Sequence, residues 1–307
     1  MTAVLRIGTR GSRLALAQAE WVRERLAAAH PALRPELAVI KTSGDRLRDV
    51  PLHQVGGKGL FVKELESALG AGSIDCAVHS LKDLPGELAP GLIIAAVPER
   101  EDPGDVMVTR ASGGLAALPA GARVGTSSPR RAALLRALWP QLAVVHLRGN
   151  VDTRLAKLER GEVDALVLAA AGLRRLGIRP PYVEPCDLRE FVPAIGQGAL
   201  ALESQPGRVA EQLAAIEHHQ SRLAIDAERA FLRAVGGSCV SPLAAHAVVA
   251  DGRLHLRALI AHPDGSRIFR GETSGAADDG AQLGRALAER LLREGGAELL
   301  RALGLPA

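Results

Sequence analysis

Residues 74–85 read IDCAVHSLKDLP, an apolar run that stops abruptly and hands the backbone to residues able to do chemistry. Ile74, Cys76, Ala77 and Val78 predict a short buried strand. His79, Ser80, Lys82 and Asp83 follow it, and Pro85 and Gly86 end regular structure. In open α/β sheets ligands bind beyond the carboxyl ends of the strands, so a Lys82–Asp83 pair set there is placed for chemistry. The plain alternative is a surface ion pair on a loop.

Upstream, residues 3–8 predict a strand, then Thr9-Arg10-Gly11-Ser12, then a helix with Leu14, Ala17 and Trp21 on one face. Ser12 is suited to cap that helix. The free N–H groups at such a helix start, with Arg10 beside them, form an anion site. A strand at 36–41 leads into a polar, glycine-bearing segment through residue 59. Its Val55-Gly56-Gly57-Lys58-Gly59 is no P-loop, because Gly59 stands where a hydroxyl should bind magnesium; a mobile loop or lid is expected. A helix at 61–70 and a strand at 92–97 flank the opening stretch.

Glu99-Arg100-Glu101-Asp102-Pro103 reads as a linker. Beyond it a strand at 105–109 resumes, and the strand at 123–125 runs into Thr126-Ser127-Ser128-Pro129-Arg130-Arg131 and a helix, with Pro129 suited to its first turn. The run Ile7-Gly8-Thr9 is echoed by Val124-Gly125-Thr126, which suggests two similar α/β halves across a cleft. A strand at 142–147 precedes Asn150, the cap of a helix whose Val151, Leu155 and Leu158 point inward and whose Arg154 faces elsewhere. A strand at 165–169 precedes a short helix bearing Arg174 and Arg175 and stopped by Gly177. Arg130, Arg131, Arg148, Arg154 and Arg175 thus all sit near carboxyl ends of strands or helix starts, where a doubly wound domain brings charges together.

The segment 192–204 places Gly196-Gln197-Gly198 as a tight turn before a strand expected to return to the first half. Helices near 208–218 and 221–235 follow, then hairpins turning at Asp251-Gly252 and Asp264-Gly265, and a helix at 277–294. The expected division is a first lobe of residues 1–98 plus about 193–215, a second lobe of 99–192, and a C-terminal α+β domain of 216–307. Cys239, on a glycine-rich turn, is accessible in a way that Cys76 is not.

With 307 residues, 47% apolar content and mean hydropathy +0.10, the chain is long enough for two or three domains with real cores. No apolar run approaches the ~20 residues of a membrane span, and residues 1–12 lack the pattern of a signal peptide, so a cytoplasmic protein is expected. The three cysteines show neither metal-ligand spacing nor a disulfide framework. The His218-His219 pair is read as structural, since neighbours on a helix do not share a face. A net charge of +4 and 2% aromatics argue against nucleic acid, which needs a basic surface with stacking platforms. Of 38 basic residues 33 are arginine, yet Lys58, Lys63 and Lys82 cluster, which suggests positions that need a compact ammonium.

In order and density, IGTRGSRLAL, VGGKGLFVKELE, AVHSLKD, EREDP, VGTSSPRR, LRGNVDTRL, LAAAGLRRLG, PAIGQGAL and GGSCVSP resemble the porphobilinogen deaminase (hydroxymethylbilane synthase) family over essentially the whole chain. The resemblance implies two periplasmic-binding-protein-like, doubly wound α/β lobes plus a small C-terminal α+β domain with an antiparallel sheet. It implies a transferase of tetrapyrrole and heme biosynthesis that deaminates and joins four porphobilinogen molecules head to tail on a dipyrromethane cofactor. That cofactor is expected as a thioether on Cys239, with hydroxymethylbilane released by hydrolysis and ammonia lost at each coupling.

By the same resemblance Asp83 is the catalytic group, hydrogen-bonding pyrrole N–H groups and stabilising positive charge. Lys82, Asp83, Thr126, Ser127, Ser128, Arg130 and Arg131 are expected to hold the cofactor. Arg10, Ser12, Lys58, Arg148, Arg154, Arg175 and Gln197 are expected to hold substrate. Every pyrrole carries an acetate and a propionate, so a growing chain of them needs a cation-lined cleft. No metal, nucleic acid, membrane or obligate protein partner is implied, and a monomer is expected. The sequence departs from the family pattern at Gln54, where a lysine is frequent, at Pro129, and at the variable Ser241. The competing reading is a two-lobed anion receptor, which would carry no covalent adduct and give Cys239 no role.

Overall fold

The computed structural model describes residues 3–42, 62–237 and 241–305. In chain order the strands are β1 (Ala3–Arg10), β2 (Leu33–Ile40), β3 (Cys76–Ser80), β4 (Ile93–Ala96), β5 (Asp105–Thr109), β6 (Arg123–Thr126), β7 (Ala143–His146), β8 (Ala165–Ala169), β9 (Val183–Pro185), β10 (Leu200–Ser204), β11 (Leu243–Ala250), β12 (Arg253–Ala261) and β13 (Ile268–Ala276). The α-helices are α1 (Arg13–Ala29), α2 (Lys63–Gly70), α3 (Pro129–Leu138), α4 (Val151–Glu159), α5 (Ala170–Arg175), α6 (Arg208–Leu213), α7 (His219–Val235), α8 (Gly280–Leu291) and α9 (Ala297–Ala302).

Two five-stranded sheets have the orders β2-β1-β3-β10-β4 and β7-β6-β8-β5-β9. In the first, β1 runs parallel to β2 and β3, and β10 is antiparallel to β3 and β4. In the second, β6 runs parallel to β7 and β8, and β5 is antiparallel to β8 and β9. The two lobes therefore share one topology, and in each the antiparallel strand next to the parallel set arrives by a crossover from the other lobe. Helices cover both faces: α1 packs over Leu5, Ile7 and Val78, and Leu65 and Leu69 of α2 pack over Ala77 on the other side.

The echo between the halves now has a cause. Gly8 and Gly125 occupy matching central strands, and a Cβ on them would lie 2.2 Å from Ile74 Cδ1 and 2.8 Å from Leu147 Cδ2. Only glycine lets a neighbouring core side chain lie so close to the strand.

Three local expectations are corrected. His79 and Ser80 belong to the strand, because β10 pairs along it as far as Leu200 opposite Ser80. His79 is buried, its Nε2 2.9 Å from Glu203 Oε2 on β10. The deep face of α1 is Gln18, Ala19, Val22 and Leu26, while Leu14, Ala17 and Trp21 are half-buried beside it. The expected helix over 277–294 is not uniform: it opens as a 3-10 turn at Ala277–Asp279, continues as α8, and passes into a π-helical segment, Leu292–Gly296, that kinks at Gly295, φ 125°, before α9.

The antiparallel sheet β11-β12-β13 forms the third domain, with α7 and α8 on one face. Phe231, Leu256, Ile260 and Leu291 fill the layer between. This domain grips both crossovers through one carboxylate. Glu228 of α7, fully buried, accepts from Arg100 Nη1 at 2.6 Å and Nη2 at 3.2 Å in the outgoing crossover, from Gly196 N at 2.7 Å in the returning one, and from Ala247 N at 2.8 Å on β11. Arg100 Nε adds a bond of 2.8 Å to the Gln197 carbonyl, joining the crossovers directly.

Removing one member of a buried ion pair leaves the other charge uncompensated, at a cost of about 3–5 kcal/mol. Glu228→Gln is expected to lose about that much, measured as a lower urea midpoint; an unchanged midpoint would show that the crossovers are held by other contacts.

Candidate active site

The polar residues expected at the site lie where the parallel strands deliver them, beyond their carboxyl ends. β3 ends in a 3-10 turn, Leu81–Asp83, that carries Lys82 and Asp83. β1 hands on to Ser12, whose hydroxyl caps α1 by accepting from Ala15 N at 3.3 Å. β6 hands on to Ser128, which caps α3 by accepting from Arg131 N, with Pro129 in the first turn. Asn150 caps α4 by accepting from Thr153 N at 2.8 Å. The two lobes meet at this rim, where Arg13 Nη1 at the start of α1 lies 2.6 Å from Asp152 Oδ1 in the first turn of α4.

The cations on the second-lobe side are held in fixed positions. Arg154 donates to Ser127 Oγ at 3.1 Å and to the Gly149 carbonyl at 2.8 Å. Burial, Arg131 and Arg148 lower its guanidinium to about 10, which shows like charges crowded together. Arg175 donates to the Gly198 carbonyl at 2.7 Å and is lowered to about 10, chiefly by burial. Arg130 and Arg131 are buried around Asp105, a fully buried carboxylate at the start of β5. The Thr126 hydroxyl accepts from Ser128 N at 3.2 Å, which shapes the turn.

Asp105 and Gln197 connect this group to the first lobe. Asp105 accepts from Arg130 Nη2 at 2.7 Å, from Arg131 Nη2 at 2.6 Å and Nε at 3.1 Å, and from Gln197 Nε2 at 2.9 Å. Gln197 Oε1 in turn accepts from Lys82 Nζ and from Arg131 Nη2, both at 3.4 Å. Gln197 Nε2 also donates to the Pro103 carbonyl at 2.7 Å. Expected as a substrate contact, Gln197 is only 1% exposed, with its amide committed to these protein groups.

Lys82 is half-buried, and burial together with Arg131 lowers its ammonium to about 8, against the opposing pull of Asp83 and Asp105. Asp83, half-buried beside it, makes no side-chain hydrogen bond or ion pair with any described residue. Arg10 and Arg148 are half-buried at the ends of β1 and β7. Lys58 and Cys239 lie outside the described residues. The structure thus couples Lys82 to Arg130 and Arg131, and Arg154 to Arg131 and Arg148, with Asp105 as the buried counter-charge of Arg130 and Arg131.

Nothing in the sequence gives Asp105 a chemical role. It sits at an ordinary strand start after Pro103-Gly104, and nothing local marks it as the counter-ion of arginines 25 and 26 residues away. Such a set, rich in cations and with Arg130 Nε buried and unpartnered among the described residues, fits a bound polycarboxylate and not a metal. Among the described residues no cluster of His, Cys, Asp and Glu could hold a metal ion, and no helix is long and apolar enough to cross a membrane.

Because Lys82 loses its proton as pH rises through about 8, carboxylate binding is expected to weaken several-fold between pH 7 and pH 9. Lys82→Arg, charged throughout that range, should flatten the profile; an identical slope in the variant would exclude Lys82 as its source.

A family sequence model described as "Porphobilinogen deaminase, dipyromethane cofactor binding domain" matches residues 5–211. A second, "Porphobilinogen deaminase, C-terminal domain", matches residues 222–293. Among curated proteins, the porphobilinogen deaminase of Syntrophobacter fumaroxidans is 47% identical over 302 residues, covering 98% of each chain. That of Burkholderia thailandensis is 51% identical over 308 residues, covering 99% of this chain and 94% of the relative. Among solved structures, the methionine-binding protein MetQ is 13% identical, with a TM-score of 0.42 over 75% of this chain and 93% of that one. The fold therefore rests on the strand order described above, and the sequence matches span both lobes and the third domain. This chain belongs to the porphobilinogen deaminase family.

Proposed function

We propose that this chain is a porphobilinogen deaminase, a transferase that joins four porphobilinogen molecules into hydroxymethylbilane with loss of ammonia. The observation that carries the reading is a coupled run of cations from two lobes: Lys82, beside Asp83, is coupled to Arg130 and Arg131, which share the buried Asp105, and Arg131 in turn is coupled to Arg154 beside Arg148. Porphobilinogen bears two carboxylates, and a chain of such units accumulates negative charge that only an excess of fixed cations can hold. No nucleic acid, membrane or obligate protein partner is needed for this chemistry, and we assign it to the cytoplasm.

The family's dipyrromethane cofactor, when bound, supplies the primer to which substrate units are added. Its acid groups would be held by Lys82, Arg130 and Arg131, with the Ser127 and Ser128 turn beside them. Arg10, Arg148, Arg154 and Arg175 would hold carboxylates of incoming units. The carboxylate of Asp83 accepts from pyrrole N–H groups and stabilises the positive charge that develops on the substrate once its amine has gone. Its oxygens are also where a proton taken from the coupled ring can rest.

We assign covalent attachment to Cys239, between α7 and β11. Contacts at the end of α7 support the assignment. A Cβ on Gly86, three residues past Asp83, would lie 3.4 Å from Arg233 Cγ and 3.6 Å from Leu232 Cγ near the end of α7. Arg229 donates to the Gly86 carbonyl at 2.9 Å. The segment leading to Cys239 therefore starts beside the segment that carries Asp83.

The intact mass of the protein after incubation with porphobilinogen, beside that of Cys239→Ser, tests attachment and activity together. An excess of two pyrrole units in the parent, absent from the variant, is expected. An unmodified parent that also forms no hydroxymethylbilane would overturn the reading in favour of an anion receptor. Asp83→Asn should keep the adduct mass while kcat falls about 10²–10³-fold, the usual loss when one preorganised charge-stabilising group is removed. A parental kcat in that variant would take Asp83 out of its role.

A further inference from the structure

Asp105 lies outside the set of groups that would touch substrate or cofactor, yet the site is assembled around it. Its carboxylate, with no exposed surface, accepts four hydrogen bonds from Arg130, Arg131 and Gln197. Gln197 passes the connection to Lys82. Asp105 opens β5 directly after the outgoing crossover, and Gln197 lies in the returning one. The node therefore sits where the two crossovers meet and joins a cation of the first lobe to two cations of the second.

Stability alone is a poor explanation for it. A buried ion triad is often no more stable than apolar residues of the same volume, so its presence calls for another reason. The location supplies one, since this triad adjoins the half-buried Lys82 and Arg154. Two neighbouring guanidiniums repel each other, and Asp105 is the charge that holds both in place while cancelling only one.

We propose that Asp105 is a positioning residue of the deaminase: through Arg130, Arg131 and Gln197 it fixes the placement and charge of the cations, Lys82 included, that hold substrate and cofactor carboxylates. This rests on the function proposed above. Preorganisation of this kind removes the reorganisation that free side chains would undergo at each coupling. Burial opposes ionisation of Asp105, but Arg130 and Arg131 overcome it and hold the carboxyl far below the usual range, so the charge persists throughout the working pH. The charged groups facing Lys82 are Arg131 and Arg130, which lower it, and Asp83 and Asp105, which raise it.

The test uses full-length protein, Asp105→Asn and Gln197→Leu, all labelled with [13C,15N]lysine. With five lysines in the chain the Lys82 signal is resolvable and is assigned by its absence from Lys82→Arg. In the parent the Lys82 midpoint is expected near 8. Both variants should move it to lower pH, Asp105→Asn by removing an anion and Gln197→Leu by removing the acceptor of the ammonium. The alkaline limb of kcat/KM for porphobilinogen should move with it, with a fall of about tenfold at pH 8. Should Asp105→Asn fail to fold, Gln197→Leu alone decides the matter. A folded variant with lower kcat/KM but an unmoved Lys82 midpoint and pH profile would reduce the node to a structural role and overturn the proposal. A parent that makes no hydroxymethylbilane would instead sink the deaminase reading, and the lysine titration would still report on the node.

Discussion

The architecture depends on one buried carboxylate. Glu228 has no exposed surface, and an ion in that position is tolerated only when its lone pairs are filled by donors of good geometry. Here the donors are Arg100 in one crossover, Gly196 N in the other and Ala247 N in the third domain's sheet. Both connections between the lobes are thereby fastened to the domain that carries Cys239. Glu228 thus ties both crossovers, and through them both lobes, to the third domain.

A second polar node lies next to the first along the same crossover segments. Gln197 follows Gly196, and its carbonyl accepts from Arg100 while its side chain reaches Asp105 and Lys82. The bonds that join the crossovers and those that reach Asp105 and Lys82 thus share one residue. By contrast, the Arg13–Asp152 contact at the rim is between exposed side chains, worth at most about 1 kcal/mol, and can exchange with solvent easily.

The strong preference for arginine also acquires a physical sense. Arg130 and Arg131 bond in several directions at once, to Asp105 and to the Val192 and Val167 carbonyls, a task for a planar fork of donors. Lys82 is a point charge whose proton affinity responds to its surroundings, and it alone among the described lysines reaches the arginine node. Lys63, grouped with it in sequence, is on the exposed side of α2. Of these two lysines, Lys82 lies beside the buried arginines and Lys63 lies at the surface.

What the sequence by itself determined is what short-range physics controls. Ser12, Ser128 and Asn150 cap their helices, because a cap needs only a side-chain oxygen and an N–H about three residues on. The apolar run ending at Lys82-Asp83, the repeated Gly-Thr strand ends and the hairpin turn at Asp251-Gly252 are likewise local, and they sufficed for two α/β lobes and a third domain. Tertiary structure decided the rest. His79 joined a strand because β10 came back to pair with it, and Gln197 turned inward because Asp105, 92 residues away, arrived beside it. Whether an arginine faces a ligand or a buried aspartate depends on a partner that only folding brings within reach, and no spacing in the chain encodes that distance.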